Sequence, residues 1–195
     1  MSNICIFGDS TAWGAWDLEK GGWVNRLWLK AANLEQDNEV YNLSISGGTT
    51  ETVLARLENE SKIRGADVIV IQTGGNDASF DFDTKKPLVD PDKFAANLEE
   101  IIRRSKKIGV KIIFVGFENC DESKTMPVSW CNLCYSNESI KKYNEIMKTV
   151  CDKFGMSFIE TFGLLDNTDL ADGLHPNASG HQKIFTAVEP IILND

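Results

Sequence analysis

The chain has 195 residues, of which 42% are hydrophobic and 25% charged, and its formal net charge at pH 7 is −9. A chain of this length fits one domain, and we expect a single domain over residues 1–195. The negative charge argues against binding to nucleic acid or to an anionic membrane surface, and no apolar stretch approaches the length of a membrane span.

The N-terminus runs directly into an apolar segment, without the basic residues that begin a signal peptide. We therefore expect an intracellular, cytoplasmic protein. The chain has five cysteines, and this odd number leaves at least one thiol free, which suits a reducing compartment.

Short apolar runs alternate with amphipathic stretches along the whole chain. The predicted strands are, in order, residues 3–7, 39–43, 68–72, 111–116 and 157–160. The predicted helices are residues 22–32, 50–60, 91–107, 137–154 and 178–193. The third and fourth strands are continuous apolar runs, which is typical of strands that are covered on both faces. Five successive strand–helix units predict an α/β fold, a three-layer α/β/α sandwich around a parallel sheet.

The longest irregular segment is an insertion at about residues 117–136, which follows the fourth strand. Loops at the carboxyl ends of parallel strands border the crevice where ligands bind, so we expect this segment to overhang it. It carries Cys120, Cys131 and Cys134. A zinc site would need a fourth ligand, and neither histidine is adjacent in sequence. We predict no metal site there, with a metal or disulfide role for these cysteines as the alternative.

Polar or glycine-rich clusters end the first three strands and follow the fifth. They are residues 8–10, 44–49, 74–77 and 172–176. Because parallel strands share one direction, the four clusters should meet at one edge of the sheet. Ser10 could then act as a nucleophile with His175 as its base, while Asp172 orients the imidazole. The backbone N–H groups of Ser10 and Gly47 and the side-chain amide of Asn76 are the candidate oxyanion donors. Each cluster alone could be an ordinary turn or cap.

The same four clusters resemble the sequence blocks of the SGNH hydrolases, also called GDSL esterases and lipases. Residues 6–10 are similar to the first block, which implies that Ser10 is the nucleophile. Residues 42–47 and 74–77 are similar to the second and third blocks, which assign the oxyanion roles to Gly47 and Asn76. Residues 172–176 are similar to the last block and imply that Asp172 and His175 complete the triad. The resemblance also implies a flavodoxin-like, five-stranded SGNH hydrolase fold that needs no metal or organic cofactor.

Two positions that border the predicted site depart from the family pattern. Gly48 stands where many relatives have an aspartate, and Thr11 follows the serine where an aliphatic residue is frequent. Substrate preference therefore cannot be carried over from the family. The second histidine, His181, lies within the last predicted helix, where we expect it to face solvent or to take part in packing.

These features predict a serine hydrolase that cleaves carboxylic esters of small molecules, including acylated carbohydrates, with short acyl or O-acetyl groups as the expected substrates. One alternative is a lysophospholipase or thioesterase that acts on longer acyl chains. Another is a catalytically silent protein that binds carbohydrate or acyl groups. A flavodoxin-like phosphate-binding protein would share the strand plan, but it would not need a histidine beside an aspartate at the far end.

Aromatic residues near the expected crevice are candidates for substrate binding. Aromatic walls suit both sugar rings and acyl chains, and such residues are equally common as packing residues. The candidates are Trp13, Phe80 and Trp130, and Trp16 and Phe82 are further aromatic residues that could lie near the crevice. The sequence does not indicate an oligomeric state.

Overall fold

The structure is a computed structural model, and it describes residues 2–32 and 38–193. The strands within these residues are β1 (Asn3–Gly8), β2 (Glu39–Asn42), β3 (Val68–Gln72), β4 (Phe80–Asp81), β5 (Lys111–Val115), β6 (Leu133–Cys134) and β7 (Ser157–Ile159). The helices are α1 (Ser10–Trp13), α2 (Trp23–Ala31), α3 (Thr50–Leu54), α4 (Leu57–Ile63), α5 (Gly75–Ala78), α6 (Pro91–Lys107), α7 (Glu122–Thr125), α8 (Asn137–Phe154) and α9 (Ala178–Leu193), with a 3₁₀ turn at Asn167–Asp169.

Five strands form one parallel sheet in the order β2-β1-β3-β5-β7. The predicted fold class is confirmed. The chain moves outward from β1 to β2 and then crosses back to β3, so the strand order reverses between β1 and β3. In sheets of this kind ligands bind outside the carboxyl ends of the strands that flank such a reversal. Ser10 follows β1 and Asn76 lies in the helix after β3, so both residues lie at this crevice.

Side chains of the central strands alternate between two hydrophobic clusters, one on each face of the sheet. On one face the cluster includes Cys5, Phe7, Ile69 and Ile71 from the strands and packs against α3, α4, α6 and α8. On the other face it includes Ile4, Ile6, Val70 and Ile113 and packs against α2 and α9. Both faces of the sheet are therefore covered, which explains the continuous apolar runs of β3 and β5.

The helix predicted over residues 50–60 is wrong, because the structure has two helices, α3 and α4, with a break at Ala55 and Arg56. Arg56 leaves helical geometry with φ −134° and ψ −12°. Its guanidinium lies over the ring of Phe7, 5.1 Å from the ring centroid. This contact with a strand distant in sequence competes with the continuous helix that local spacing predicts.

The segment 117–136 is more ordered than predicted. It contains the short helix α7 and the strand β6, which pairs antiparallel with β4 to form a ribbon separate from the main sheet. All five cysteines are free thiols, and of the three in this segment only Cys131 is exposed. Within residues 2–32 and 38–193, no helix has the length and apolar character needed to cross a membrane.

Candidate active site

The loop after β1 turns directly into α1, and this turn holds Ser10 at the carboxyl edge of the sheet. The Asp9 carboxylate accepts a hydrogen bond from the Thr11 backbone N–H at 3.0 Å and so caps α1. The turn needs glycine at position 8, because a Cβ there would lie 2.3 Å from the Cβ of Ala12 and 2.8 Å from the carbonyl oxygen of Gln72. The local sequence therefore places the Ser10 hydroxyl at the mouth of the crevice.

The structure brings Ser10, His175 and Asp172 into one hydrogen-bonded chain. The Nε2 atom of His175 lies 2.9 Å from the Oγ of Ser10, and its Nδ1 atom lies 2.7 Å from the Oδ2 of Asp172. A carboxylate beside Nδ1 favours the tautomer in which Nδ1 carries the proton and Nε2 is free. In this arrangement the imidazole can accept the serine proton.

Asp172 is held in its ionised form by the groups that surround it. Its Oδ1 accepts from the backbone N–H groups of Leu174, at 2.9 Å, and His175, at 2.8 Å. Its Oδ2 accepts from the His175 ring and from the indole Nε1–H of Trp16, at 2.8 Å. Burial alone would raise the pKa of Asp172, but hydrogen bonds from the side chain and backbone of His175 and from Leu174 outweigh it and hold this pKa below its ordinary value.

Asn76 lies on the other side of Ser10, with its amide oriented by two neighbours. Its Nδ2 donates to the carbonyl oxygen of Gly48 at 3.0 Å, and its Oδ1 accepts from the hydroxyl of Tyr135 at 2.9 Å. A carbonyl can only accept, so the Gly48 contact fixes which end of the amide is the NH₂ group. Burial raises the pKa of Tyr135, which keeps its hydroxyl protonated as a donor.

Gly47 lies in the loop after β2, directly before Gly48, whose carbonyl oxygen accepts the hydrogen bond from Asn76. It is exposed and has a φ of +75°, a conformation that glycine adopts without strain. The start of α3, just after this loop, is tied to α5 by Thr50, whose backbone N–H and hydroxyl both donate to the buried Asp77 carboxylate. This connection holds the loop that carries Gly47 beside the helix that carries Asn76.

Two buried carboxyl groups border Ser10 on the side away from Asp172. Desolvation of the buried Asp9 carboxyl raises its pKa to about 7, although the Thr11 N–H acts in the opposite direction. Desolvation raises the pKa of Glu118 to about 8. Glu118 accepts a hydrogen bond from Gln72 Nε2 at 3.0 Å, and the Oε1 of Gln72 accepts from the indole N–H of Trp23 at 2.7 Å.

A cavity of about 40 Å³ opens beside Ser10. Its lining residues are Asp9, Ser10, Thr11, Gln72, Gly75, Asn76, Phe117, Glu118, Tyr135, Ile140, Leu174 and His175. A larger cleft of about 400 Å³ borders Asp172 and is lined by Trp16, Leu18, Ser129, Trp130, Ala171 and Asp172. The site therefore has a small, largely enclosed side and a wide aromatic side.

The three aromatic candidates lie in different places. The Trp130 ring is 5.8 Å from the His175 ring, with 30° between their planes. Trp13 lines a separate surface cavity with Val24 and Trp28. Phe80 lies in the β4–β6 ribbon and is not among the described residues that line the cavity beside Ser10 or the aromatic cleft.

Two residues with roles in this geometry, Tyr135 and Glu118, were not among the predicted residues, and a third, Trp16, was predicted only as an aromatic residue near the crevice. Trp16 contacts Asp172, Tyr135 orients Asn76, and Glu118 lies on the buried side of the cavity. The signal for Glu118 was a charged residue directly after an apolar strand. Trp16 and Tyr135 lie in segments without periodicity, and no sequence pattern distinguished them from other aromatic residues.

Of the two expectations for the second histidine, packing is confirmed and exposure to solvent is wrong. His181 is fully buried in α9, with Nε2 3.0 Å from the carbonyl oxygen of Ala15 and Nδ1 accepting from the Trp23 backbone N–H at 3.3 Å. Burial lowers the pKa of His181 and favours its neutral form. In the part of the chain that the structure describes, no group of three or more His, Cys, Asp or Glu side chains is arranged to hold a metal ion.

Comparison with known proteins gives a family match over most of the chain. The model of the GDSL-like Lipase/Acylhydrolase family matches residues 6–183. A curated relative, the human protein named isoamyl acetate-hydrolyzing esterase 1 homolog, is 24% identical over 204 residues, which cover 97% of this chain and 80% of the relative.

Solved structures show the same fold. The lipase/acylhydrolase from Enterococcus faecalis superimposes with a TM-score of 0.78 at 26% identity, covering 98% of this chain and 95% of the other. A catalytic mutant of an acetylxylan esterase from Geobacillus stearothermophilus gives a TM-score of 0.74 at 20% identity, covering 95% of this chain and 91% of the other.

Proposed function

Because the chain belongs to the GDSL-like lipase/acylhydrolase family and is an ester hydrolase, we propose that it cleaves esters of short acyl groups through an acyl-enzyme on Ser10. The observation that carries this proposal is the hydrogen-bonded chain from the Oγ of Ser10 through His175 to Asp172, with distances of 2.9 and 2.7 Å. A serine hydroxyl is a poor nucleophile until a base removes its proton, and His175 is placed to do so.

In the first step the Oγ of Ser10 attacks the ester carbonyl carbon while the Nε2 of His175 takes the hydroxyl proton. The carbonyl π electrons move to the oxygen, and Asp172 stabilises the imidazolium that forms. We assign stabilisation of the oxyanion to the Asn76 amide and the backbone N–H groups of Ser10 and Gly47. Removing one such donor typically costs about 3–4 kcal/mol of transition-state stabilisation.

In the second step the tetrahedral intermediate collapses. His175 gives its proton to the alcohol oxygen as the carbon–oxygen bond breaks, and the acyl group stays on Ser10. Water then attacks the acyl-enzyme with His175 again as base, and the collapse of the second intermediate returns a proton to Ser10. The carboxylic acid leaves, and no electron acceptor or metal ion is needed to balance the reaction.

The size of the cavity beside Ser10 favours a small acyl group. We assign the ester carbonyl and its acyl substituent to the cavity of about 40 Å³ beside Ser10, because Ser10, Asn76 and His175 all line it. This volume corresponds to roughly three water molecules. It suits an acetyl group and excludes a long chain without rearrangement. The names of the human relative and of the Geobacillus enzyme both refer to acetyl esters, which supports the same choice.

The aromatic cleft is the place we assign to the alcohol. His175 must give its proton to the leaving oxygen, so the alcohol has to lie on the His175 side of the carbonyl, where Trp130 lies. Indole rings pack well against flat apolar surfaces, such as an aryl group or one face of a sugar ring. Acylated carbohydrates and aryl esters are therefore the substrates that fit both sides of the site.

The test is hydrolysis of p-nitrophenyl esters from acetyl to palmitoyl, with Ser10→Ala assayed beside the parent protein. The expected result is turnover that falls as the acyl chain lengthens and that disappears in Ser10→Ala. Full activity in Ser10→Ala would overturn the proposal. A preference for long chains would favour a lysophospholipase or thioesterase, and no turnover by the folded protein on any ester would favour a binding protein.

A further inference from the structure

Trp16 has an unusual backbone conformation directly beside the triad. Its φ is +64°, in the left-handed region that bulky side chains seldom occupy. Such conformations persist only where the surrounding structure enforces them, and they concentrate at functional sites. The side chain is 55% exposed, so burial of the indole ring does not account for the strain.

Both neighbours of Trp16 are anchored to buried groups. The carbonyl oxygen of Ala15 lies 3.0 Å from the Nε2 of His181. The buried Asp17 carboxylate pairs with Arg26 and accepts from three backbone N–H groups, those of Glu19, Lys20 and Gly22. These contacts fix the chain on each side of Trp16, and they hold the strained residue in place.

The Trp16 indole is directed at the carboxylate of the triad. Its Nε1–H donates to the Oδ2 of Asp172 at 2.8 Å, and its ring meets the His175 ring edge-on, with the planes at 87°. The Nε1 atom is also 3.2 Å from the Nδ1 of His175. Both nitrogens carry a proton when Nδ1 donates to Asp172, so the indole hydrogen bond goes to Oδ2. Each oxygen of Asp172 then accepts two hydrogen bonds.

We propose that Trp16 is a positioning residue of the triad, whose indole N–H fixes the Oδ2 of Asp172 and thereby the direction and tautomer of the His175 ring. This inference rests on the proposed function, in which Asp172 and His175 act on Ser10. Without the indole donor, Oδ2 keeps the imidazole as its one partner and Oδ1 stays held by two backbone N–H groups, but the direction of the His175 ring toward Ser10 is fixed less closely. The strained backbone is the structural cost of keeping the donor in place.

Trp16→Phe tests this role, because phenylalanine keeps an aromatic ring in the cleft and removes the N–H together with part of the indole ring system. We expect kcat for p-nitrophenyl acetate to fall roughly tenfold with little change in KM, the effect of losing one hydrogen bond to a charged group. We also expect the acid limb of the kcat/KM profile to move to higher pH. A carboxylate with one donor fewer attracts the imidazolium more strongly, so the free base forms at higher pH.

Trp28→Phe is the matched control, because Trp28 is also partly exposed but lies on α2, in another surface cavity. It should change neither kcat nor the acid limb. A Trp16→Phe protein with the kcat and acid limb of the parent would overturn the proposal. An increase in KM alone would also overturn it, because Trp16 would then be a substrate contact rather than a positioning residue.

An NMR titration of the His175 ring, in the Ser10→Ala background with and without Trp16→Phe, separates this inference from the proposed function. The other titratable groups near the ring, Asp9, Glu118 and His181, are the same in both proteins. The expected result is a curve displaced to higher pH in the double variant. This displacement would support the Trp16–Asp172 contact even if Ser10→Ala retained activity, and coincident curves would overturn it.

Discussion

Ser10 lies between two sets of carboxyl groups that differ in charge state. On the rim of the site, Asp172 accepts four hydrogen bonds, and those from His175 and Leu174 hold its pKa below the ordinary value despite partial burial. On the buried side, desolvation raises the pKa of Asp9 to about 7 and that of Glu118 to about 8. The same functional group therefore has a lowered pKa at Asp172 and a pKa raised to neutral pH or above at Asp9 and Glu118.

Burial and the number of donors together account for this difference, because Asp9 and Glu118 are buried whereas Asp172 is only partly buried. Asp172 is surrounded by N–H groups from three residues, whereas the contact of Glu118 with a side-chain donor is to the neutral amide of Gln72. A buried carboxylate is stable only when donors or cations replace the water it has lost. One side of the site can thus stabilise a positive imidazolium, and the other adds little charge near neutral pH. Two carboxyl groups in one active site often have different roles because their surroundings give them different pKa values.

Asp172→Asn should have the largest effect. An asparagine amide can donate to Nδ1 and favour the tautomer in which Nε2 carries the proton, so the ring can no longer act as base toward Ser10. We expect kcat to fall on the order of 10³–10⁴-fold with the fold retained. Initial rates on p-nitrophenyl acetate measure the loss, and circular dichroism checks the fold. A loss of less than tenfold would contradict the assigned role of Asp172.

Glu118→Gln should raise the stability of the fold, whereas Asp172→Asn should lower kcat. Below pH 4.5 both folded and unfolded chains carry a protonated Glu118, and burial costs no ionisation energy. Between pH 4.5 and about 8 the unfolded chain loses the proton while the folded chain keeps it, so stability falls as pH rises. Above about pH 8 Glu118 is ionised in both the folded and the unfolded chain, so its effect on the free energy of unfolding no longer changes with pH.

The neutral glutamine escapes this penalty and can still accept the hydrogen bond from Gln72. We expect the variant to be more stable than the parent at pH 8 by a few kcal/mol, on the order of 3–5, and equally stable near pH 4. Urea unfolding at several pH values measures the difference. Glu138→Gln, at an exposed position of α8, is the matched control. If the Glu118→Gln gain is the same at every pH, Glu118 is not held protonated by the fold.

The main elements of the fold were predictable because they depend on local patterns. α6, α8 and α9 have the predicted bounds, since apolar side chains recur at helical spacing over four or more turns. The break between α3 and α4 was not predictable, because Val53 and Leu57 keep helical spacing across it. At the break, Arg56 contacts the ring of Phe7, a residue far from it in sequence, and local spacing carries no information on such a contact.

In the candidate site, too, some contacts could be predicted from the sequence and others could not. The meeting of Ser10, Asn76 and His175 could be predicted, because parallel strands bring their carboxyl ends to one edge. The hydrogen bond of Trp16 to Asp172 depends on the left-handed backbone conformation of Trp16, which no residue pattern predicts. The contact of Tyr135 depends on the β4–β6 ribbon, whose strands are only two residues long. Short elements carry too few residues for a periodic signal.

Tyr135→Phe should have the smallest effect of the three changes, because it removes an orienting group and leaves every charged residue in place. Without the phenol, the Oδ1 of Asn76 loses its donor, and the amide can rotate away from the carbonyl oxygen of the substrate. We expect kcat to fall about tenfold with KM nearly unchanged, since the oxyanion develops only in the transition state.

The matched control is Tyr143→Phe, in which the removed hydroxyl is also buried but donates to the carbonyl oxygen of Val89. Both variants lose a buried hydrogen bond and should lose similar stability in urea. Only Tyr135→Phe should lower kcat. Equal kcat values in the two variants would mean that the Asn76 amide keeps its direction without the phenol, and the contact with Gly48 would then be sufficient to orient it.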